Sequence, residues 1–338
     1  MQLQNDLDAL ARAEDFAGIV RVDRGVELEF ELAYGLADRR HRIENTAAMQ
    51  FAIASGSKGL TALAIASLIE DGVLGFATKA RDVLGADLPL IAEDVTVEHL
   101  LAHRSGIGDY LDEGAGYKVT DYVLSVPVHE LATTEQYLAV LDGHEQVSPP
   151  GARFGYCNGG FVVLALIAER ASGVSFHRLV RERVCIPAGM HDSVFLRSDE
   201  LPGRAAVGYL EGGDSLQTNV FHLPVRGNGD GGMYSTVADI VAFWDALVAG
   251  RIVSAAMVST LVQPRSVVSG SSLRYGLGFW LAQSGAGVIL EGSDAGVSFR
   301  TVHDPTIGLT HTVVSNTSNG AWPIARLLDE RLSLPTPS

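Results

Sequence analysis

Ser55 and Lys58 stand three residues apart where a strand-like run, FAIAS, gives way to a helix-like one, KGLTALAIASLIEDG. At a helix start that spacing puts both side chains on one face, one turn apart. The positive end of the helix dipole favours negative charge on Ser55 Oγ and a neutral amine on Lys58. A serine hydroxyl is a poor nucleophile at neutral pH, and a neutral amine beside it can take its proton. The pair therefore reads as a nucleophile with its own base. A second pair, Tyr156 and Asn158, follows PPGARFG. Two apart in an extended turn, they point the same way, towards one cavity. A phenol can take or give a proton once a cation such as Lys58 lowers its pKa. The Asn158 amide offers both a donor and an acceptor. Taken alone, a buried tyrosine beside a turn asparagine is the commoner explanation of this pair.

Positioning such groups requires a strand-to-helix junction held in a rigid frame, and the rest of the chain supplies the elements. Leu3, Leu7, Leu10 and Ala11 space like one helix face, and FAGIVRV and ELEFELAYG read as strands joined at Asp23-Arg24-Gly25. The middle of the chain carries helical patterns and Gly/Pro-rich loops. Thr96 is expected to cap a helix with His99 at its third position, and Gly173 to end the helix GGFVVLALIAERAS. The last third returns to strands, RYGLGFWLAQ, GVILEGS, VSFRTVHD and LTHTVVSN, before a helix opened by Pro323. Short links between these strands suit an antiparallel meander. Strands at both ends with helices between predict an α+β fold. Residues 1–79 and 198–338 are expected to form an antiparallel-sheet lobe and 80–197 a mostly helical lobe, with the active site between them.

Composition narrows the function. The chain has 338 residues, 47% of them hydrophobic and 19% charged, enough apolar surface for a large core. A net charge of −15 argues against nucleic acid and against anionic membranes. Cys157 and Cys185 make neither a metal spacing nor a disulfide framework, and no H-E-x-x-H set is present, so no metal is expected. The N-terminal MQLQNDLDALARAEDF lacks a basic then apolar leader, and the longest apolar run, FVVLALIA, is too short to span a membrane. A cytoplasmic location is the expectation, unless an export signal has been trimmed.

Several long blocks in order resemble the serine β-lactamase superfamily, on the side of the class C β-lactamases, D-alanyl-D-alanine carboxypeptidases and family VIII esterases. FAIASGSKGLTALAIASLIEDGVL resembles the nucleophile strand and helix, and VTVEHLLAHRSGIGDY the Leu-Leu-x-His-x-Ser-Gly segment. PPGARFGYCNGGFVVLALIAERASG resembles the Tyr-x-Asn block, while VCIPAGMHDSVF, DGGMYSTVADIVAFWDAL and YGLGFW resemble later ones. The resemblance implies a β-lactamase/transpeptidase-like fold in which an antiparallel sheet is flanked by the terminal helices and joined to a helical lobe. It implies Ser55 as the acylated nucleophile, Lys58 as its base, and Tyr156 as a partner in proton transfer. Asn158 would hold the substrate and help position Lys58. The Ser55 N–H would be half of an oxyanion hole. No cofactor is implied.

The third motif of that family, Lys-Thr-Gly or His-x-Gly, departs here to Glu291-Gly292-Ser293-Asp294-Ala295-Gly296. In the preferred register Ser293 stands at the Lys or His position, Ala295 at the Gly position, and the Gly296 N–H is the second oxyanion donor. A shift by one residue moves that role to Ala295 or Val297. A serine cannot act as a positive anchor, and Asp294 adds negative charge, so a substrate carboxylate is disfavoured. Arg300 and Arg326 are the cations that could stand in. The substrate expected is a small carboxylic ester or amide, uncharged or with a free amine. A β-lactam or D-amino-acid peptide is the alternative within the mechanism, and an acylatable sensor or pseudoenzyme is the alternative outside it. His103 is expected to be structural, holding the Ser105-Gly106 turn, and Cys157 to pack. Gly227–Gly232 formally matches G-x-G-x-x-G but is expected to be a tight loop before a helix capped by Thr236 and Asp239. Tyr110, Tyr117 and Tyr122 are candidate pocket walls.

Overall fold

A computed structural model of the chain describes residues 2–113, 116, 121–210, 217–268, 270 and 272–332. Tyr117 lies outside them. The chain opens with helix α1 (Gln2–Ala13) and strands β1 (Gly18–Arg24) and β2 (Glu27–Tyr34), followed by the short β3 (Leu36–Asp38), β4 (Ile43–Glu44) and β5 (Phe51–Ala52). Helices α2 (Lys58–Glu70), α3 (Ala80–Leu84), α4 (Val97–Leu101), α5 (Leu138–Leu141), α6 (Asn158–Ser172), α7 (Phe176–Val180) and α8 (Ile186–Ala188) come next. β6 (Tyr234–Ser235), α9 (Val237–Val248) and α10 (Ala255–Leu261) lead into β7 (Ser266–Val267), β8 (Leu273–Tyr275) and β9 (Trp280–Ala282). β10 (Val288–Asp294), β11 (Val297–Asp304), β12 (Leu309–Ser315) and α11 (Ala321–Leu332) complete it.

Eight strands form one sheet in the order β2-β1-β12-β11-β10-β9-β8-β7, each pair antiparallel. Strand period sorts its two faces. Val20, Val22 and Val313 face α1 and α11, whose Leu7, Ile324 and Leu328 fill that layer. Ile19, Leu290, Phe299 and Val314 face the opposite way, into the main core with α2, α6 and α9. The run RYGLGFWLAQ is two strands rather than one, because Gly278 turns with φ +86° between β8 and β9.

α2 is apolar all round, and every residue from Lys58 to Leu68 is buried. Leu60, Leu63, Ile65 and Leu68 each contribute about 2 kcal/mol of burial. A helix packed on every side cannot drift, and this one carries Lys58 at its first position. α6, buried from Asn158 to Ala168, crosses it and stops at Gly173 with φ +70°. Among the described residues no single helix is long and apolar enough to cross a membrane.

Candidate active site

Strand β5 ends at Ala52, and the chain turns through Ala54, with φ +43°, into a 3-10 turn, Ala54–Ser57, that runs on into α2. A positive φ at a residue with a Cβ is strained, and it aims Ser55 out of the helix start into a cleft. Ser57 fixes this turn from behind: its Oγ donates to Ala54 O and accepts from Met233 N–H.

Lys58 Nζ lies 2.8 Å from Ser55 Oγ, 2.7 Å from Asn158 Oδ1 and 2.6 Å from Asp230 O. The two carbonyl oxygens can only accept. A neutral amine gives them its two hydrogens and turns its lone pair to the Ser55 hydroxyl. Burial lowers the Lys58 pKa, against the pull of Asp230, Glu113, Asp109 and Asp294. The amide of Asn158 is fixed by its other end, where Nδ2 donates to Leu111 O and Glu113 Oε1 at 3.1 and 3.0 Å. Both amide hydrogens are therefore engaged within the protein. Asn158 orients Lys58 and ties down the 111–113 segment, and it has no donor left for a substrate, contrary to the sequence expectation.

Tyr156 packs between His103, at 4.3 Å between ring centroids, and Trp280, stacked at 6.0 Å. Its hydroxyl lies near Ser55, and Lys58 Nζ sits 4.9 Å from its ring centre. The phenol pKa is not lowered as expected. Burial pushes it well above its ordinary value, with the charge of Glu113 adding to the shift. Tyr156 is thus a neutral phenol beside Ser55. His103 accepts the Cys157 N–H on Nδ1 at 3.1 Å, so it holds the Tyr156–Cys157 segment rather than the Ser105–Gly106 turn. Burial drives its pKa well below the usual histidine range. Cys157 caps α6, its Sγ accepting from Gly160 N–H, and burial raises its thiol well above the ordinary value.

The third motif needs a different register from the one expected. A Cβ on Gly292 would lie 2.4 Å from Ile53 O, 2.6 Å from Ser55 N and 2.8 Å from Gly56 N. Gly292, not Ala295, is therefore the glycine that lets the strand touch the nucleophile turn. Asp294 pairs with Val297 across the two-residue turn Ala295-Gly296, and Ser293 with Ser298. A two-residue hairpin closes on a hydrogen-bonded pair, so the next pair is a non-hydrogen-bonded one. The Ser293 N–H then points away from β11, to the edge that β9 leaves open beyond Ile289. Ser293 and Ser55, whose N–H lies in a first turn without an intrahelical acceptor, line the same cleft. Gly296 N–H instead donates to Ser318 Oγ at 2.8 Å, and Gly296 serves the turn with φ +70°. Ala295 N–H bonds its neighbour Asp294 Oδ1. Leu290, pointing at Gly59 of α2, occupies the position that the corrected register assigns to the family's cation. Arg300 does not replace it: it pairs with Glu291 and Asp329 on the α11 side of the sheet. Arg326 lies exposed on α11.

Two further residues at the site were not singled out for it. The Gly227–Gly232 loop does precede a helix whose Thr236 side chain accepts from Asp239 N–H, yet it also forms the floor of the cleft. Asp230 O holds Lys58, and Gly229 O accepts from Thr61 of α2. The glycine density was the available signal, since a Cβ on Gly229 would meet Phe161 O at 2.1 Å. Tyr110 and Tyr122 do line the cleft, with Tyr110 Oη bonded to Asp230 Oδ2 at 2.5 Å and Tyr122 Oη to Tyr110 O. The remaining walls are mostly apolar, chiefly Leu111, Leu124, Leu223 and Val225, with Ser198, Asn219 and His222 as polar points. Asp294 lines the cleft as well, and burial raises its carboxyl to about 7, with the charges of Asp230 and Glu113 reinforcing the shift.

The fold, a strand-to-helix serine with a lysine one turn on, and a tyrosine facing both define a class, and comparison with known proteins agrees. Residues 7–333 match the Beta-lactamase family, and the chain belongs to it. It is 29% identical over 296 residues to penicillin-binding protein 4* of Bacillus subtilis, covering 83% of this chain and 63% of that protein. It is 30% identical over 221 residues to esterase EstB of Burkholderia gladioli, covering 61% and 53%. The crystal structure of a penicillin binding protein from Bacillus halodurans superposes with a TM-score of 0.90 at 34% identity, over 96% of this chain and 99% of that one. The chain thus spans less than two thirds of the length of these two curated relatives.

Proposed function

We propose that the protein is a serine hydrolase that works through an acyl-enzyme on Ser55. The observation that carries this reading is the threefold environment of Lys58 Nζ, two fixed carbonyl acceptors and one serine hydroxyl. Lys58 takes the Ser55 proton as Oγ attacks the substrate carbonyl carbon. The carbonyl oxygen gains negative charge and accepts from the Ser55 and Ser293 N–H groups. As the bond to the leaving group breaks, Tyr156 donates its proton to the departing atom and is reprotonated from Lys58. The acyl-enzyme is then hydrolysed in the reverse sense: water loses a proton through Tyr156 to Lys58, the acid is released, and Ser55 regains its hydrogen. Each oxyanion donor is worth about 10²–10³ in rate.

The substrate class follows from charge. Glu113, Asp230 and Asp294 line the cleft, and the basic side chains beside them are Lys58 and His222. A carboxylate on the substrate would be repelled, and a neutral or amine-bearing ester or amide with an apolar body is favoured. The resemblance to an esterase is consistent with this reading. The test is steady-state hydrolysis of p-nitrophenyl acetate and butyrate beside nitrocefin and D-alanine p-nitroanilide, with Ser55→Ala as control. Turnover of the neutral esters or the amine-bearing anilide above nitrocefin, lost in Ser55→Ala, is the expected result. Nitrocefin as the best substrate would overturn the substrate class, and a single burst without turnover would favour the acylatable sensor.

A further inference from the structure

Behind the catalytic cleft lies a second cavity of opposite character, and the two share a wall. In the extended segments of that wall alternate residues face opposite ways. Leu196, Val225, Gly227 and Tyr234 line the catalytic cleft, whereas Phe195, Arg226 and Met233 line the rear cavity. Of the three guanidinium groups on the rear cavity's lining, Arg226 and Arg181 have no carboxylate paired with them among the described residues. Arg226 uses Nε on Phe195 O at 3.0 Å, and its terminal nitrogens have no hydrogen-bond partner. Burial lowers its pKa, and the nearby Arg197 lowers it further. Arg181 stands exposed at the rim with no ion pair. Arg178, also on the rim, is already paired with Glu182.

Thr134 lies beneath the cavity wall, 1% exposed, with its Oγ1 sealed from the open space. The one carboxylate on the lining, Glu169, has Oε2 engaged by Phe176 N–H at 2.8 Å. His177 adds no charge: its Nε2 meets Gly227 O at 2.8 Å, and burial, with Arg226 beside it, holds its pKa down to about 4. The rest of the lining is mixed: Val194, Phe195 and Met233 are apolar, and Thr133, Ser175 and Ser193 are polar.

We propose that this cavity is a second ligand site, for a small carboxylic acid with an apolar body, such as an aryl or short-chain carboxylate. The carboxylate would lie in the planar fork of Arg226, a geometry suited to two parallel hydrogen bonds, with the charge of Arg181 at the rim adding to the attraction. The apolar body would rest on Phe195 and Met233. Its occupant would press on the segment whose other face is the substrate cleft and whose continuation holds Lys58 through Asp230 O. The inference does not depend on the hydrolase reading, because it concerns a different cavity and its test reads binding directly.

The test is a titration of the full chain with 4-fluorobenzoate, followed by fluorine NMR, for wild type, Arg226→Gln and Arg181→Gln. Glutamine at 226 keeps a donor for Phe195 O while removing the charge, and the exposed Arg181 can be changed without touching the core. Saturable binding is expected, weakened at least about tenfold in Arg226→Gln and several-fold in Arg181→Gln. Inorganic phosphate, which has no apolar body, should displace the probe only weakly. No saturable binding to the wild type, or binding to Arg181→Gln and to a folded Arg226→Gln equal to wild type, would overturn the site. Phosphate competing as well as benzoate would overturn the carboxylate class. Should Arg226→Gln fail to fold, Arg181→Gln decides.

Discussion

Gly292→Ala tests the placement of the oxyanion hole, and its effect can be worked from contacts. The new methyl would lie 2.4 Å from Ile53 O and 2.6 Å from Ser55 N. Both are backbone atoms of the nucleophile turn, locked by Ser57 and Met233, so they cannot rotate aside. Ordinary contact requires about 3.4 Å, so β10 must withdraw from Ser55 by about 1 Å. That movement carries the Ser293 N–H away from the position the substrate oxygen takes. A misplacement of about 1 Å costs on the order of 10² in rate, and outright loss of one oxyanion donor about 10²–10³. Turnover of p-nitrophenyl acetate should therefore fall by about 10²–10³ in kcat with KM changed far less. Overpacking should also cost about 1–3 kcal/mol of stability, visible in a urea titration of the same sample. A folded Gly292→Ala enzyme with kcat within a few-fold of wild type would refute the register, and with it the role of Ser293.

Lys58→Met keeps the length of the buried side chain and removes the base. Hydrolysis should drop by about 10²–10⁴ while the far-UV spectrum is retained, and a variant keeping a tenth of its activity would remove Lys58 from the mechanism. Above about pH 7, where its carboxyl is charged, Asp294→Asn should raise turnover of carboxylate-bearing substrates relative to neutral ones by roughly fivefold, the equivalent of about 1 kcal/mol. The same variant carries a stability signature. The folded carboxyl keeps its proton up to about pH 7, whereas the unfolded one loses it near pH 4. Wild-type stability should fall between those values as pH rises and then level off, and Asp294→Asn should lack that contribution to the slope; identical profiles would refute the buried position of Asp294. Thr96→Ala removes the N-cap of α4, whose hydroxyl accepts from His99 N–H at 3.2 Å. It should cost about 1 kcal/mol in a urea titration, and no change would mean that the cap is idle.

Much of this arrangement was legible before any coordinates. Apolar runs located α2, α6 and the strands β10 to β12, because each buries most of its surface against neighbours. Thr96 and Gly173 marked helix ends because capping chemistry is local. What sequence did not reveal depended on contacts between distant segments. The third motif could not be put in register until β10 was laid against the nucleophile turn, where Gly292 alone fits. The Tyr156 pKa was misjudged because a neighbouring cation was weighed and burial was not, and burial is the larger influence. The part played by Asp230 was hidden because it acts through a backbone carbonyl, which any residue type would supply.

The most direct test of the central claim is mass spectrometry of the chain after treatment with a fluorophosphonate, for wild type and Ser55→Ala. One adduct per chain is expected, on the peptide containing Ser55, with parallel loss of ester hydrolysis. Ser55→Ala should take no label and turn over no ester. Stoichiometric labelling of another residue, or hydrolysis that survives the substitution, would contradict the account.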